Sequence, residues 1–212
     1  MAGMAVYRTP PGPGGRSGTD VVRVVDPLGL AIAWVVPALG GACVGFSVRE
    51  DAGQTWRPML EGDGEGGDAA PGIEPLVRLD DDTAVPARLS GMTWTMLERD
   101  PTRVITTCVG CADRHTVAVG CEDGDLEIAL TGDRFVGLRL TIPGAGEHNL
   151  EEGVEGRSRA CIPLPVAPPA QLDLEWLGEV STTRGPVPAD TQTWINSAHG
   201  KTLLVRMAVM SG

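Results

Sequence analysis

Residues 103–142 read RVITTCVGCADRHTVAVGCEDGDLEIALTGDRFVGLRLTI, and this run decides the fold. Apolar and polar residues alternate through it with a period of two, the repeat of a chain whose successive side chains point to opposite faces of a sheet. In 125–131, Leu126, Ile128 and Leu130 alternate with Asp125, Glu127, Ala129 and Thr131. In 135–142, Val136, Leu138, Leu140 and Ile142 alternate with Phe135, Gly137, Arg139 and Thr141. Asp123-Gly124 and Gly132-Asp133 mark tight turns. The spacing predicts strands over 103–111, 115–121, 125–131 and 135–142, joined by turns that allow only antiparallel neighbours.

The same period recurs outside this run. Residues 42–48 set Ala42, Val44, Phe46 and Val48 against Cys43, Gly45 and Ser47. Residues 171–176 read Gln-Leu-Asp-Leu-Glu-Trp, and 203–209 set Leu203, Val205, Met207 and Val209 opposite Arg206. No window of twelve residues repeats at 3.6, so no long helix is expected. The 29 glycines and 17 prolines make up more than a fifth of the 212 residues, which suits many short elements joined by turns. The expected fold is all-β, an antiparallel two-sheet β-sandwich forming one domain over 20–212. Residues 1–19, MAGMAVYRTPPGPGGRSGT, are expected to be disordered or loosely draped.

Charge and apolar patterning limit the partners. With 28 acidic and 17 basic residues the net charge is −11, and the pI is about 4.6. Nothing in such a chain neutralises phosphates, so nucleic acid is not an expected partner. Residues 28–48, LGLAIAWVVPALGGACVGFSV, carry no charge and are long enough for a membrane span. Pro37 and Gly40-Gly41 interrupt them, and the better reading is two buried strands joined by a turn over 37–41. No cleavage pattern follows. Five cysteines, an odd number, fit reduced thiols and a cytoplasmic setting.

Four clusters bear on chemistry. Cys108, Cys111, His115 and Cys121 approach a zinc-knuckle spacing. On a continuous strand, however, Cys108 and Cys111 point to opposite faces, so they are expected to pack as small hydrophobes, with no metal and no cofactor. His115 shares parity with Val117 and Val119, which favours packing. The acidic residues of 61–68 and of 80–82 lack EF-hand spacing and read as solvated loops. Asp51–Trp56, DAGQTW, resembles one Asp-box hairpin, with Trp56 expected to pack back on the core.

The fourth cluster is the polar segment 146–159, which carries His148 among Glu147, Glu151 and Glu152, with Asn149 and Arg157. Imidazole beside carboxylate is what acid–base chemistry needs near neutral pH. His148, Glu147, Glu151 and Glu152 are therefore the candidate catalytic residues, and Arg157 and Asn149 the candidate binding residues. Trp194, Asn196 and His199 form a smaller cluster of an aromatic among polar groups. Trp94 and Trp176 sit on apolar parity and read as core, whereas Trp34, Trp56 and Trp194 are freer to meet a ligand.

Two stretches together resemble the galactose-mutarotase-like β-supersandwich proteins. Residues 26–61, DPLGLAIAWVVPALGGACVGFSVREDAGQTWRPMLE, are similar to the opening of aldose 1-epimerase relatives. Residues 124–146, GDLEIALTGDRFVGLRLTIPGAG, are similar to the supersandwich domain at the C-terminal end of β-galactosidases. The resemblance implies a two-sheet fold with a sugar groove on its concave face. In aldose epimerases it also implies a histidine acid and a glutamate base that open and close a pyranose ring. The function expected is thus carbohydrate binding, isomerisation or cleavage by His/Glu chemistry, with a saccharide or other small-molecule ligand and no membrane partner. Two alternatives are a tailoring cyclase or isomerase of natural products, and a non-catalytic binding or assembly subunit. A homo- or hetero-oligomer is compatible with each.

Overall fold

The computed structural model describes residues 21–49, 56–60, 72–111 and 115–140 in full. Elsewhere it describes only strand backbone, at 7–8, 20, 61, 141, 151–152, 157–164, 170–177, 180–183, 191–196 and 203–211. The first strands are β1 (Tyr7–Arg8), β2 (Asp20–Val25), β3 (Ala31–Val36), β4 (Ala42–Arg49), β5 (Trp56–Glu61), β6 (Ile73–Arg78), β7 (Ala84–Pro86), β8 (Thr93–Arg99) and β9 (Arg103–Val109). They are followed by β10 (Thr116–Glu122), β11 (Asp125–Thr131), β12 (Phe135–Thr141), β13 (Glu151–Glu152), β14 (Arg157–Leu164), β15 (Ala170–Leu177), β16 (Val180–Thr183), β17 (Thr191–Asn196) and β18 (Leu203–Ser211). The helical elements among the described residues are two single 3-10 turns, Pro37–Leu39 and Ala87–Leu89. Among the described residues, no helix is long and apolar enough to cross a membrane.

The strands form two antiparallel sheets. The ten-stranded sheet runs β1-β2-β3-β4-β6-β12-β17-β16, with β5 beside β4 and β7 beside β6. The eight-stranded sheet runs β13-β14-β15-β18-β11-β10-β9-β8. Between them lies one apolar core, with Val22, Val24, Ala33, Val35, Phe46 and Leu138 from the first sheet against Val104, Val117, Val119, Leu126, Ile128 and Leu130 from the second. The stretch 28–48 folds as expected into two buried strands, β3 and β4, joined by the 3-10 turn at Pro37–Leu39.

Three expectations are corrected. The run 103–142 is not one meander. β9, β10 and β11 pair in sequence, but β12 leaves for the other sheet, where it pairs with β6 and β17, and β18 takes the place beside β11. Gly132 makes the departure (φ +134), since a β-carbon there would stand 2.2 Å from Nδ1 of His115. Second, two bulges shift the alternation. Trp34 pairs with Gly45 but Val35 with Cys43, so Val44 is the extra residue and Cys43 joins Phe46 on the core side. Likewise Phe135 pairs with Val77 and Gly137 with Leu76, so Phe135 rather than Val136 joins Leu138 and Leu140 in the core. Third, Cys108 and Cys111 are joined in a disulfide with Cα atoms 6.1 Å apart. β9 ends at Val109, and Gly110 turns the chain at φ +78. The strand is therefore not continuous across the two cysteines, and the reduced-thiol expectation does not hold for this pair.

The other expected packing holds in part. His115 is buried, edge-on to Phe135 with ring centroids 6.1 Å apart. Trp94 is core, as expected. Trp56, by contrast, is 40% exposed. The β4–β5 pairing forms, but β5 carries this ring outward instead of back on the core. Residues 50–55, which hold the rest of the DAGQTW motif, lie outside the described residues.

Asp26 ties the layers together. Its buried carboxylate accepts from the amides of Leu28 (2.9 Å) and Leu30 (3.0 Å) and from Gly124 (3.3 Å), across 98 residues of sequence. Hydrogen bonds to a charged acceptor contribute about 1 kcal/mol more than neutral ones. Asp26→Asn should therefore cost about 1 kcal/mol, or roughly 2–4 °C in Tm for a chain of this size. An unchanged melting curve would show that the carboxylate charge adds nothing there.

Candidate functional site

The face of the ten-stranded sheet turned away from the core carries a cluster of charge. In β6 the residues Ile73 and Val77 point into the core, so Glu74 points outward. In β12 the core residues Leu138 and Leu140 leave Arg139 outward. The register pairs Glu74 with Arg139, and Arg139 in turn with Thr193 of β17. Pro75 has no amide to donate. It falls where β4, which meets β6 at Ile73, gives way to β7, whose pairing with β6 begins at Leu76. The 3-10 turn after β7 brings Arg88 to the same carboxylate.

The result is a shared ion pair. Arg88 Nε donates to Oε1 of Glu74, while Arg139 donates to Oε2 from Nη2 and, at 2.9 Å, from Nε. Glu74 is 1% exposed, whereas the arginine side chains are 16% and 18% exposed. Both carboxylate oxygens are thus engaged, so Glu74 is poorly placed to act as a proton acceptor. Most of the guanidinium N–H donors have no partner among the described residues. The group carries a net single positive charge within an acidic chain.

An aromatic lies on the same face. Trp34 is the outward residue between Ala33 and Val35, and its half-buried ring covers Gly45, where a β-carbon would stand 3.1 Å from Cε3. Any larger residue at position 45 would displace it. Arg23, the register partner of Trp34 on β2, shares this face. β4 alone separates the strands of Trp34 and Glu74, so the two lie on strands about 10 Å apart.

Elsewhere the chemistry is muted. Burial pushes the Cys43 thiol up to about 12, and its Sγ donates to the Gly45 carbonyl at 3.1 Å. Burial also raises Cys121, with Cys43 and Asp26 adding to the effect. Both are packing thiols. No group of three metal-ligating side chains is found among the described residues. Asp80 pairs with Arg134 and Asp82 with Arg78, both at 3.0 Å, while Asp81 accepts from the Thr83 amide.

The residues singled out from the sequence fall in two regions. Glu151 and Glu152 form β13, the edge of the eight-stranded sheet, paired with Arg159 and Ser158, and Arg157 opens β14. Trp194 and Asn196 lie in β17 of the other sheet, as register partners of Leu138 and Val180. His148, Glu147, Asn149 and His199 lie outside the described residues, and so do the side chains of the other five. Sequence reasoning passed over Glu74, Arg88 and Arg139. The available signal was a lone carboxylate inside the apolar run Ile73–Val77, which no buried strand tolerates without a counter-charge.

No family model matches the chain, and no curated protein matches it at a significant level. Two solved structures are similar. A putative aldose 1-epimerase from Escherichia coli K12 superimposes with a TM-score of 0.57 at 11% identity, covering 91% of this chain and 99% of that one. A glycosyl hydrolase of the GH92 family superimposes with a TM-score of 0.52 at 12% identity. That match covers 90% of this chain and 30% of the hydrolase, so the present chain corresponds to a part of that enzyme. At such identities the likeness is one of fold: the chain shares the two-sheet β-sandwich of these two structures.

Proposed function

We propose that this protein binds a saccharide on the outward face of its ten-stranded sheet and acts on it by acid–base chemistry. The observation that carries the reading is the pairing, on that face, of the Trp34 ring with the Arg88–Glu74–Arg139 group about two strand widths away. A ring face that stacks on a pyranose and guanidinium donors that meet hydroxyls are what a sugar site needs. The similar structures described as an aldose 1-epimerase and a glycosyl hydrolase support the same reading.

The acid–base step is assigned, from the sequence and not from the Trp34 face, to His148 as the acid and one of Glu147, Glu151 and Glu152 as its carboxylate partner. Arg157 and Asn149 are assigned as holders of the substrate; Glu151, Glu152 and Arg157 lie in β13 and β14 at the edge of the other sheet. In an epimerase-like reaction one group protonates the ring oxygen while the other removes the anomeric hydroxyl proton. Trp194, Asn196 and His199 are secondary contacts. No cofactor enters, and the cytoplasm is the proposed compartment on the free buried thiols of Cys43 and Cys121, with the Cys108–Cys111 disulfide as the observation against it.

A thermal-shift panel of neutral hexoses, uronic acids and hexose phosphates tests binding, because a ligand of the folded state raises the melting point. Once a substrate is in hand, His148→Ala should lower turnover at least tenfold, about 1.4 kcal/mol of barrier, with little change in Tm. Full turnover in that variant would remove His148 from the chemistry. No shift with any sugar would overturn the saccharide reading itself.

A further inference from the structure

We infer that the sugar this face accepts carries a negative charge, a carboxylate or a phosphate, read by Arg88 and Arg139. The inference rests on the sugar-face reading above and narrows its substrate class.

The charge count supports it. Among the described residues, this face carries Arg23, Arg49, Arg78, Arg88 and Arg139, with the Glu74 carboxylate held between Arg88 and Arg139 and Asp82 paired with Arg78. The whole chain is at −11, so a local excess of guanidinium is against the trend. A purely structural ion pair needs one arginine per carboxylate. Here a second is brought in from the turn after β7, and each has donors without a partner among the described residues while remaining partly open to solvent. Glu74 is 1% exposed and engaged through both oxygens, so it fixes the two guanidinium planes. Fixed planes with spare N–H pairs present the fork that carboxylate and phosphate oxygens match bidentately. A neutral hydroxyl gains less from such a fork, and two arginines for one hydroxyl would leave charge unmatched in a half-buried place.

The row beyond Arg139 fits a polar ligand. Thr193 of β17 and Thr183 of β16 are its successive register partners, so the line Glu74–Arg139–Thr193–Thr183 crosses four strands. The Trp34 end would take the ring and the arginine end the anion. Arg139 stands on β12, three strand widths from Trp34, and reaches back to Glu74 on β6, two strand widths from it.

The test is titration calorimetry at low salt with glucuronate, galacturonate, glucose 6-phosphate, glucose and galactose, with inorganic phosphate and acetate as bare anions. We expect at least one charged sugar to bind tenfold or more tightly than its neutral parent. Uronates or the hexose phosphate leading the series tells carboxylate from phosphate. In Arg88→Gln the preference should fall below threefold, and Arg88→Lys should restore part of it. A neutral hexose binding as tightly as its charged derivatives overturns the inference while leaving the saccharide reading standing. Bare phosphate or acetate binding that is lost in Arg88→Gln, with no sugar bound, supports the anion site and overturns the saccharide reading. No binding of any probe overturns both. The wild-type preference needs no variant, so a poorly folding Arg88→Gln protein does not shield the inference.

Discussion

Glu74→Ala is expected to lower stability by about 3–5 kcal/mol, the usual cost of removing one partner from a buried ion pair. For a chain of this size that is a fall of roughly 6–20 °C in Tm, measured by calorimetry alongside urea unfolding. The carboxylate lies at 1% exposure between two arginines, so its loss strands two guanidinium charges against apolar strands. Their partial exposure lets them swing toward water, which places the expected cost at the lower end of the range. Glu74→Gln keeps an acceptor of the same shape and should cost less, about 1–2 kcal/mol. The loss should change little between low and high salt, since partly buried pairs are weakly screened. A Tm within about 2 °C of wild type for Glu74→Ala would show that the arginines find full compensation elsewhere.

That cost is not a measure of what the group contributes to folding. Replacing a whole buried charge cluster by apolar residues of similar size is often neutral or stabilising, because the desolvation of every member is relieved together. A combined replacement of Glu74, Arg88 and Arg139 by leucine and methionine should therefore fold at least as well as Glu74→Ala. If stability returns while charged-sugar binding does not, the triad is kept for recognition. Its retention inside a sheet that could be apolar then has a functional reason.

How far the sequence could be read follows from what a period of two can and cannot carry. β11 was legible residue by residue, because Leu126, Ile128 and Leu130 face one core and its neighbours are regular. β4 and β12 were legible as strands but not as faces. A single extra residue, Val44 in one and Val136 in the other, reverses parity midway, and no local composition announces a bulge. The sheet to which β12 belongs was hidden for a different reason. A two- or three-residue link looks the same whether the chain folds back or crosses over, and the close approach of Gly132 to His115, seventeen positions earlier, leaves no local mark. Cys108 and Cys111 were misjudged because Gly110 ends the strand between them. The candidate site was the least legible part. Glu74 meets partners 14 and 65 residues away, and no motif links positions whose only relation is adjacency across a sheet.

Gly40→Ala is expected to cost about 3–4 kcal/mol, from about 1 kcal/mol of left-handed strain plus about 2–3 kcal/mol of overpacking. Gly40 ends the 3-10 turn between β3 and β4 at φ +73, its amide donating to the Pro37 carbonyl at 3.0 Å. A methyl group there would stand 2.4 Å from the β-carbon of Ala87 and 3.4 Å from the Trp94 ring. Neither neighbour is the movable end of a flexible chain, so one of the two 3-10 turns must shift. Both turns bear on the site. One joins the strands carrying Trp34 and Gly45, and the other carries Arg88. The fitting control is Gly91→Ala, which has the same φ of +73 but no atom within 4 Å of the new carbon. It should show the strain alone, about 1 kcal/mol. The difference between the two variants isolates the close approach of the turns, expected as roughly 4–12 °C of Tm beyond the control. Equal losses would mean that the turns can separate freely, and that the position of Arg88 over Glu74 is held by the ion pair alone.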